Sequence, residues 1–245
     1  MTHNLTGWTR DPIDTRDHLF AEAPIVLPPI VDLSAQCSPI ENQLSIGSCT
    51  GNAIVGALEY ANRTFKKDLT DLSRLFIYYN ERVIEGTINE DAGAIIRDGI
   101  KTLVTYGVCP EKNCKYDMTK FTKSPTKTAY KKALKYRVSS YQSITNLDGM
   151  LQCLASGKPF VFGFTVYESF ETAQMQATGL MSMPKSGEKV LGGHAVLAVG
   201  YIQSTRMIKC RNSWGASWGI NGYFFMPYDF ISDTKLADDM WSINV

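Results

Sequence analysis

The stretch that most constrains the fold runs over residues 42–60 and joins a turn to an amphipathic helix. Gly47 and Ser48 supply the turn and an N-cap, which predicts that Cys49 lies at the helix N-terminus. The unpaired N–H groups and the dipole of a helix N-terminus favour an anion, so a thiolate at Cys49 is stabilised. The thiolate is the nucleophilic form of cysteine. On this segment alone, a nucleophile and a buried structural cysteine are equally compatible with the pattern. The apolar residues that define the helix face recur at Ala53, Ile54, Ala57, Leu58, Ala61 and Phe65.

The composition sets the class of protein. A chain of 245 residues holds one large domain or two small ones. The hydrophobic content of 44% is ordinary for a soluble globular protein, and a net charge of +1 gives no bias toward nucleic acid or an anionic membrane. The apolar runs are far shorter than the roughly 20 residues of a membrane span, and the N-terminus has no apolar signal region. We therefore expect a cytoplasmic protein with no nucleic-acid or membrane partner.

Six cysteines are spread along the chain. If Cys49 is a free nucleophile, five remain, and an odd number cannot all pair. Cys109 and Cys114 have no second cysteine pair or nearby histidine, so we expect neither a metal site nor a cofactor. A disulfide such as Cys37–Cys109 is compatible with the sequence but is not indicated by it.

The two halves of the chain differ in pattern. Residues 72–84 and 92–106 show helical spacing, whereas a lysine-, proline- and threonine-rich stretch at 109–128 separates them from a strand-rich second half. We predict an N-terminal extension over 1–26, a mainly helical domain over 27–120 and a mainly β domain over 121–245. Within the second half, a helix is expected near residue 125 and over 146–156, and strands over 136–141, 159–167, 194–202, 207–212 and 223–226.

A thiol nucleophile needs a base, a group that orients the base, and donors for an oxyanion. Of three histidines, only His194 lies outside the N-terminal extension, at the start of an apolar strand. Asn212 ends the next strand, where its amide can bond the imidazole, and Trp214 can shield that bond from water. Gln43 precedes Cys49 by a short turn, so its amide and the Cys49 backbone N–H form two candidate oxyanion donors.

Three ordered motifs, NQLSIGSC at 42–49, GGHAVLAVGY at 192–201 and RNSWGASWGINGY at 211–223, resemble those of the papain-like (C1) cysteine peptidases. Weaker matches at 27–33 and 106–111 extend the resemblance over about residues 27–226. The likeness is to the compact microbial or viral type with a short N-terminal extension.

The resemblance implies an α+β fold, with a helical left domain, an antiparallel β-barrel right domain and the active site in the cleft between them. It implies thiol-dependent hydrolysis of peptide or protein substrates without a cofactor. The site it implies has Cys49 as nucleophile, His194 as acid and base, Asn212 as the orienting group and Gln43 as oxyanion donor, and by analogy a Cys49–His194 ion pair. Substrate-contacting residues are expected at Gly93, Ala195 and Trp214.

The chain departs from the family pattern at two positions near the nucleophile, where Ile46 replaces a cysteine and Thr50 replaces a tryptophan. The stretch before Cys109 has no histidine pair like the one that closes the cleft of dipeptidyl-carboxypeptidase relatives, so an endopeptidase is expected. Residues 1–26 are expected to lie near the cleft and restrain activity, because the sequence shows no long inhibitory propeptide. An acyltransferase or transamidase, and an inactive binding module of the same fold, remain alternatives.

Overall fold

The computed structural model describes residues 7–21 and 24–245. Its α-helices are α1 (Cys49–Ala61), α2 (Arg74–Glu85), α3 (Ile96–Thr105), α4 (Lys127–Ala133), α5 (Leu147–Ala155), α6 (Ala173–Thr178) and α7 (Tyr228–Ile231). Its strands are β1 (Trp8–Thr9), β2 (Ile30–Asp32), β3 (Ala94–Ile95), β4 (Ser140–Ser143), β5 (Phe160–Tyr167), β6 (Val190–Ile202), β7 (Met207–Arg211), β8 (Tyr223–Pro227) and β9 (Ala237–Asn244).

Helix α1 is the central element, and every one of its 13 residues is buried. Two glycines explain how it packs on both sides. A side chain at Gly51 would come within 2.8 Å of the Arg74 carbonyl oxygen on α2, and one at Gly56 would overlap the Arg211 guanidinium on β7. The helix therefore lies directly between the helical half and the sheet. The predicted helix is confirmed, whereas its predicted amphipathic character is wrong, because the helix is buried on every side. It continues into a π-helical segment, Asn62–Lys66.

The second half forms an antiparallel sheet in the order β4-β9-β5-β6-β7-β8, with β2 added against β6. Alternate residues of the long strand β6 face two cores. Ala195, Leu197 and Val199 pack with α1, whereas Val196 and Ala198 pack into the core enclosed by the sheet. This period of two explains why the strand is apolar on both faces, and it fixes His194 and Ala195 at the boundary between the halves. The α+β class is as predicted.

Several element boundaries differ from the sequence prediction. The helix predicted from residue 92 begins at Ile96, because Gly93 has φ 72° and the next two residues form strand β3. The strand predicted at 136–141 lies at Ser140–Ser143. The sequence pattern does not predict strand β9, which pairs with both β4 and β5. Two successive aspartates near its start, Asp238 and Asp239, hide its apolar alternation.

Within the described residues all six cysteines are free. The disulfide considered between Cys37 and Cys109 is absent. The Cys37 thiol contacts the Leu33 carbonyl, while the Cys109 thiol shares a hydrogen bond with that of Cys114. No helix in the described part of the chain is long and apolar enough to cross a membrane.

Residues 7–20 form an extended arm that contacts both halves of the molecule. Strand β1 pairs in parallel with β3, with Trp8 opposite Ala94. At the other end of the arm, Phe20 N–H donates to the Ser143 carbonyl at 2.8 Å. The part of the N-terminal extension that the structure describes is therefore docked on both halves of the molecule.

Candidate active site

Cys49 is the first residue of α1, as the sequence predicts, and its side chain is completely buried. The Ala195 backbone N–H donates to its Sγ at 3.3 Å. Ala195 directly follows His194 on β6, so the helix N-terminus and the strand bring the predicted nucleophile and base together. The thiol lies fully buried at the junction between the two halves.

His194 is held from two directions. Its Nε2 and the Asn212 Oδ1 are 2.8 Å apart, and Asn212 Oδ1 also accepts the Ser213 N–H at 2.8 Å. The indole of Trp214 stacks on the imidazole with ring centroids 4.8 Å apart and planes 29° apart. The hydrogen bond fixes the rotation of the imidazole ring, and the stacked indole shields that bond from solvent. The predicted Asn212 and Trp214 contacts are both present.

Gln43 is brought to the site by pairing between two loops. Its backbone N–H donates to the Ser213 carbonyl at 2.8 Å, and its Oε1 accepts the Ser213 hydroxyl at 2.7 Å. Because Oε1 is engaged in this way, the amide nitrogen is turned the other way, where it donates to the Ile46 carbonyl at 3.1 Å. The orientation of the amide group is therefore set by Ser213, a residue that sequence reasoning did not single out.

The turn before Cys49 is fixed by side chains rather than by the predicted cap. Ser48 is the N-cap residue, but its hydroxyl makes no capping bond and instead contacts the Tyr116 hydroxyl at 2.6 Å. Tyr116 also donates to the Gln43 carbonyl at 2.8 Å, and Asp91 accepts the Gly47 N–H at 2.9 Å. Ser48 is the N-cap residue, as predicted, but its hydroxyl contacts Tyr116 instead of an N–H group of the helix.

Behind the nucleophile lies a buried carboxyl group. Glu81 of α2 is fully buried and accepts the Thr50 hydroxyl on Oε1 at 2.5 Å, while its Oε2 has no hydrogen-bond partner among the described residues. Burial raises its pKa to about 8. Thr50, noted above as a departure from the family pattern, is thus the residue that links the nucleophile helix to this carboxyl.

Burial also sets the state of the thiol. The pKa of Cys49 is raised to about 12, chiefly because burial disfavours the thiolate, although the Ala195 and helix N–H groups act in the opposite direction. The lowered pKa that the family resemblance implied is therefore wrong for this conformation. The helix N-terminus supplies the donors as expected, but desolvation outweighs them.

The group that buries the thiol is the arm. A Cβ atom on Gly7 would lie 2.5 Å from Cys49 Sγ and 3.0 Å from the Gly47 carbonyl oxygen, so the arm backbone passes directly over the nucleophile. The Gly7 carbonyl accepts the Ala94 N–H at 3.1 Å. The arm is held beyond this point by ion pairs on either side of the cleft, Arg10–Asp238 at 2.7 Å and Arg97–Asp17 at 2.6 Å.

Two carboxyl groups are buried where the arm meets β9. Asp239 accepts the Asp11 N–H at 2.9 Å, and Asp11 accepts the Trp241 indole N–H at 2.7 Å. Burial raises the pKa of Asp11 to about 7 and that of Asp239 to about 6; the charge of Asp239 adds to the rise at Asp11, and that of Asp238 adds to the rise at Asp239. No motif marks either residue, and they are brought together only by docking of the arm.

The three residues predicted to contact substrate have different surroundings. Gly93 is buried and has φ 72°, and the edge that pairs with the arm begins at the next residue, Ala94. Ala195 is bonded to the thiol and is 1% exposed, while Trp214 is 4% exposed beneath the imidazole. In this docked state none of the three offers an open surface.

Comparison of the whole chain with known proteins identifies relatives of the same kind as the site indicates. The sequence model of the papain family cysteine protease family matches residues 27–242 of this chain. A peptidase C1-like protein of Acanthamoeba polyphaga mimivirus is 45% identical over 224 residues, covering 87% of this chain and 72% of that protein. Pro-cathepsin H of Mus musculus is 29% identical over 201 residues, and the match covers 77% of this chain but only 56% of that protein.

The same likeness holds for solved structures. The crystal structure of xylellain, a cysteine protease from Xylella fastidiosa, superposes with a TM-score of 0.90 at 40% identity, covering 100% of this chain and 98% of that one. The alignment therefore extends over the residues of the N-terminal arm as well as the two halves of the molecule.

Proposed function

Because the chain belongs to the papain family of cysteine proteases and its activity is thiol-dependent proteolysis, we propose that it is an endopeptidase held inactive by its own N-terminal arm. In the proposed reaction Cys49 attacks the peptide carbonyl, His194 moves the proton and Asn212 orients the imidazole. Gln43 and the Cys49 N–H bind the oxyanion. Water then hydrolyses the acyl-enzyme.

The observation that most supports self-inhibition is the position of Gly7 over the thiol. The arm occupies the edge of β3, where an extended peptide adds as a strand through its main-chain groups. The Gly7 carbonyl accepts from the Ala94 N–H, and the Gln43 amide donates to the Ile46 carbonyl. The described part of the arm therefore covers the thiol with Gly7, whose carbonyl is turned to Ala94.

The effect of the arm on the pKa of the Cys49 thiol also supports self-inhibition. With the arm docked, burial raises the pKa of Cys49 and keeps it protonated at neutral pH. Once the arm leaves, water reaches the site and the desolvation that opposes the thiolate is relieved, while the helix N-terminal donors remain. Undocking is thus expected to expose and activate the nucleophile in one step.

An active-site labelling experiment tests the proposal on the full chain. Wild type, Cys49→Ala and Trp8→Ala are treated with an epoxide probe, and labelling is followed by mass spectrometry. Labelling that requires Cys49 and is faster in Trp8→Ala supports both the nucleophile and the restraint by the arm. Absence of labelling in folded Trp8→Ala would favour an inactive binding module instead.

A second measurement addresses the type of cleavage. A denatured protein is digested with Trp8→Ala, and its fragments are sequenced. Cleavage at internal bonds from the earliest time points supports an endopeptidase. Sequential removal of residues from one end, or transfer of the acyl group to added amines in preference to water, would contradict it.

A further inference from the structure

The arm places one large side chain, that of Trp8, in a pocket beside the nucleophile. Trp8 is only 7% exposed, and Gly163 of β5 and Gly193 of β6 form the walls around its indole. A Cβ on Gly163 would overlap the indole ring, and one on Gly193 would lie 2.9 Å from it. Any side chain at either position would fill this space, so the pocket exists because both wall residues are glycines.

The floor of the pocket is acidic. The Trp8 indole N–H donates to Asp239 Oδ2 at 2.9 Å, and Arg10 pairs with the neighbouring Asp238 at 2.7 Å. Asp239 has φ 60°, at a register shift in the pairing of β9 with β5. This irregularity explains how two successive residues of one strand, which would ordinarily point to opposite faces, both meet the arm.

The two floor carboxylates depend on the arm for their hydrogen-bond donors. Within the described residues, the donors to the Asp239 side chain are the Trp8 indole and the Asp11 N–H. The Asp238 carboxylate has the Arg10 guanidinium and the Asp239 N–H. When the arm leaves, Asp239 loses both of these donors, whereas Asp238 loses its cation but keeps the Asp239 N–H. The vacant pocket therefore holds two carboxylates that have lost the positive charge and the N–H donors of the arm.

The electrostatics of the vacant pocket decide what can enter it. An apolar side chain would cover the carboxylates without supplying a donor, which is costly for a partly buried anion. Trp8 avoids that cost with its single N–H. An arginine or lysine side chain is long enough to reach the floor and brings several N–H donors together with a positive charge.

We propose that this pocket recognises a basic side chain, arginine or lysine, of the peptide substrate, and that Asp239 is the residue that selects it. The inference rests on the proposed function and names the substrate class of the same site. Gly7 lies over the thiol and Trp8 enters the pocket, so the selected side chain belongs to the residue next to the one seated on Cys49. Asp239 is ionised at neutral pH, since its pKa is about 6 even when the arm buries it.

The test uses full-length chains that carry Trp8→Ala to weaken docking of the arm. Asp239→Asn is added in one variant, because asparagine keeps the size of the side chain and tolerates positive φ. Asp229→Asn is the matched control, since Asp229 lies in the same half of the molecule with a side chain that is 70% exposed. Each variant digests a peptide library, and peptide pairs that differ only by arginine or leucine at the enriched position are then compared.

We expect basic residues to be enriched next to the residue whose carbonyl Cys49 attacks, with kcat/KM at least about tenfold higher for the arginine peptide. Asp239→Asn should remove most of that ratio and Asp229→Asn should leave it in place. Enrichment of aromatic or aliphatic residues, or a ratio that is the same in Asp239→Asn, would overturn the inference.

Binding to a Cys49→Ala, Trp8→Ala chain separates the two proposals, because it does not depend on catalysis. Calorimetry with the uncleaved arginine and leucine peptides should show the same preference, again abolished by Asp239→Asn. Selective binding without hydrolysis in the chains that retain Cys49 would refute the peptidase and support the pocket. Hydrolysis without selective binding would refute the pocket and support the peptidase.

Discussion

Replacing Gly7 by alanine adds a single methyl group over the nucleophile. Its Cβ would lie 2.5 Å from Cys49 Sγ and 3.0 Å from the Gly47 carbonyl oxygen. Carbon atoms in good contact are about 3.5–4.0 Å apart, so the arm must move by roughly an ångström or leave. Neither neighbour can yield, because the thiol begins a fully buried helix and the Gly47 N–H is bonded to Asp91.

The size of the effect follows from this clash. Inserting a methyl group into a packed site costs about 1–3 kcal/mol. If only the undocked protein reacts, its population and the rate of Cys49 labelling should rise about 5- to 150-fold, since 1.4 kcal/mol corresponds to a factor of ten. The same substitution should leave the melting temperature of the rest of the chain close to that of wild type, because the arm alone is displaced.

The assay is the second-order rate constant for inactivation by an epoxide probe, measured on Gly7→Ala and wild type. Ile13→Ala is the matched control, because Ile13 belongs to the same arm but is 99% exposed, and it should label at the wild-type rate. Equal rates for Gly7→Ala and wild type, with unchanged melting curves, would show that the arm does not limit access to the thiol.

Three further predictions concern the oxyanion donor, the buried carboxyl and the pH dependence of docking. Gln43→Ala should lower kcat by a factor of about 10²–10³ with little change in KM. The control Gln36→Ala, at an exposed glutamine, should leave kcat unchanged. Similar kcat values for the two variants would contradict the role of Gln43 as an oxyanion donor. Burial raises the pKa of Glu81 from 4.5 to about 8. Between these pH values the folded protein keeps a proton that the unfolded chain releases. The free energy of unfolding should therefore fall by about 1.4 kcal/mol per pH unit as the pH rises from 4.5 to about 8. Glu81→Gln should lose this slope in chemical denaturation, and an identical slope in both proteins would refute the assignment. Docking of the arm raises the pKa of Asp11 and Asp239 above 3.8, to about 7 and about 6, so docking is strongest at acid pH and weakens as pH rises to about 7. We therefore divide the labelling rate of wild type by that of Gly7→Ala, so that the titration of the thiol cancels. This ratio should rise over the same pH range, and a ratio that falls would contradict the predicted weakening of docking.

The reacting groups could be predicted because each is marked by local chemistry. Cys49 follows a Gly-Ser turn and precedes apolar residues at helical spacing, which places it at a helix N-terminus without any knowledge of the fold. His194 was identifiable because the other two histidines lie in the N-terminal extension. Asn212 follows from hairpin geometry, since β6 and β7 are neighbouring antiparallel strands.

The surroundings of these groups could not be predicted in the same way. Asp11 and Asp239 are 228 positions apart and meet only when the arm docks on β9, a strand whose polar start hid it. Gly7 is one of 19 glycines, and nothing near it in the sequence indicates that it lies against a thiol. The pKa of Cys49 was predicted with the wrong sign for the same reason, because desolvation depends on what covers the residue.

On the proposed function, the arm acts as a tethered competitor of the substrate. It covers the nucleophile with Gly7, pairs with the β3 edge through its backbone and fills the acidic pocket with Trp8. Since it belongs to the same chain, it does not lose the translational freedom that a free peptide loses on binding, so modest contacts suffice to hold it. Gly7 and Trp8 are adjacent and dock as one unit, so the effects of substituting them should not add. Once either substitution has undocked the arm, the second has little left to release, and the double variant should label at a rate near that of the faster single variant.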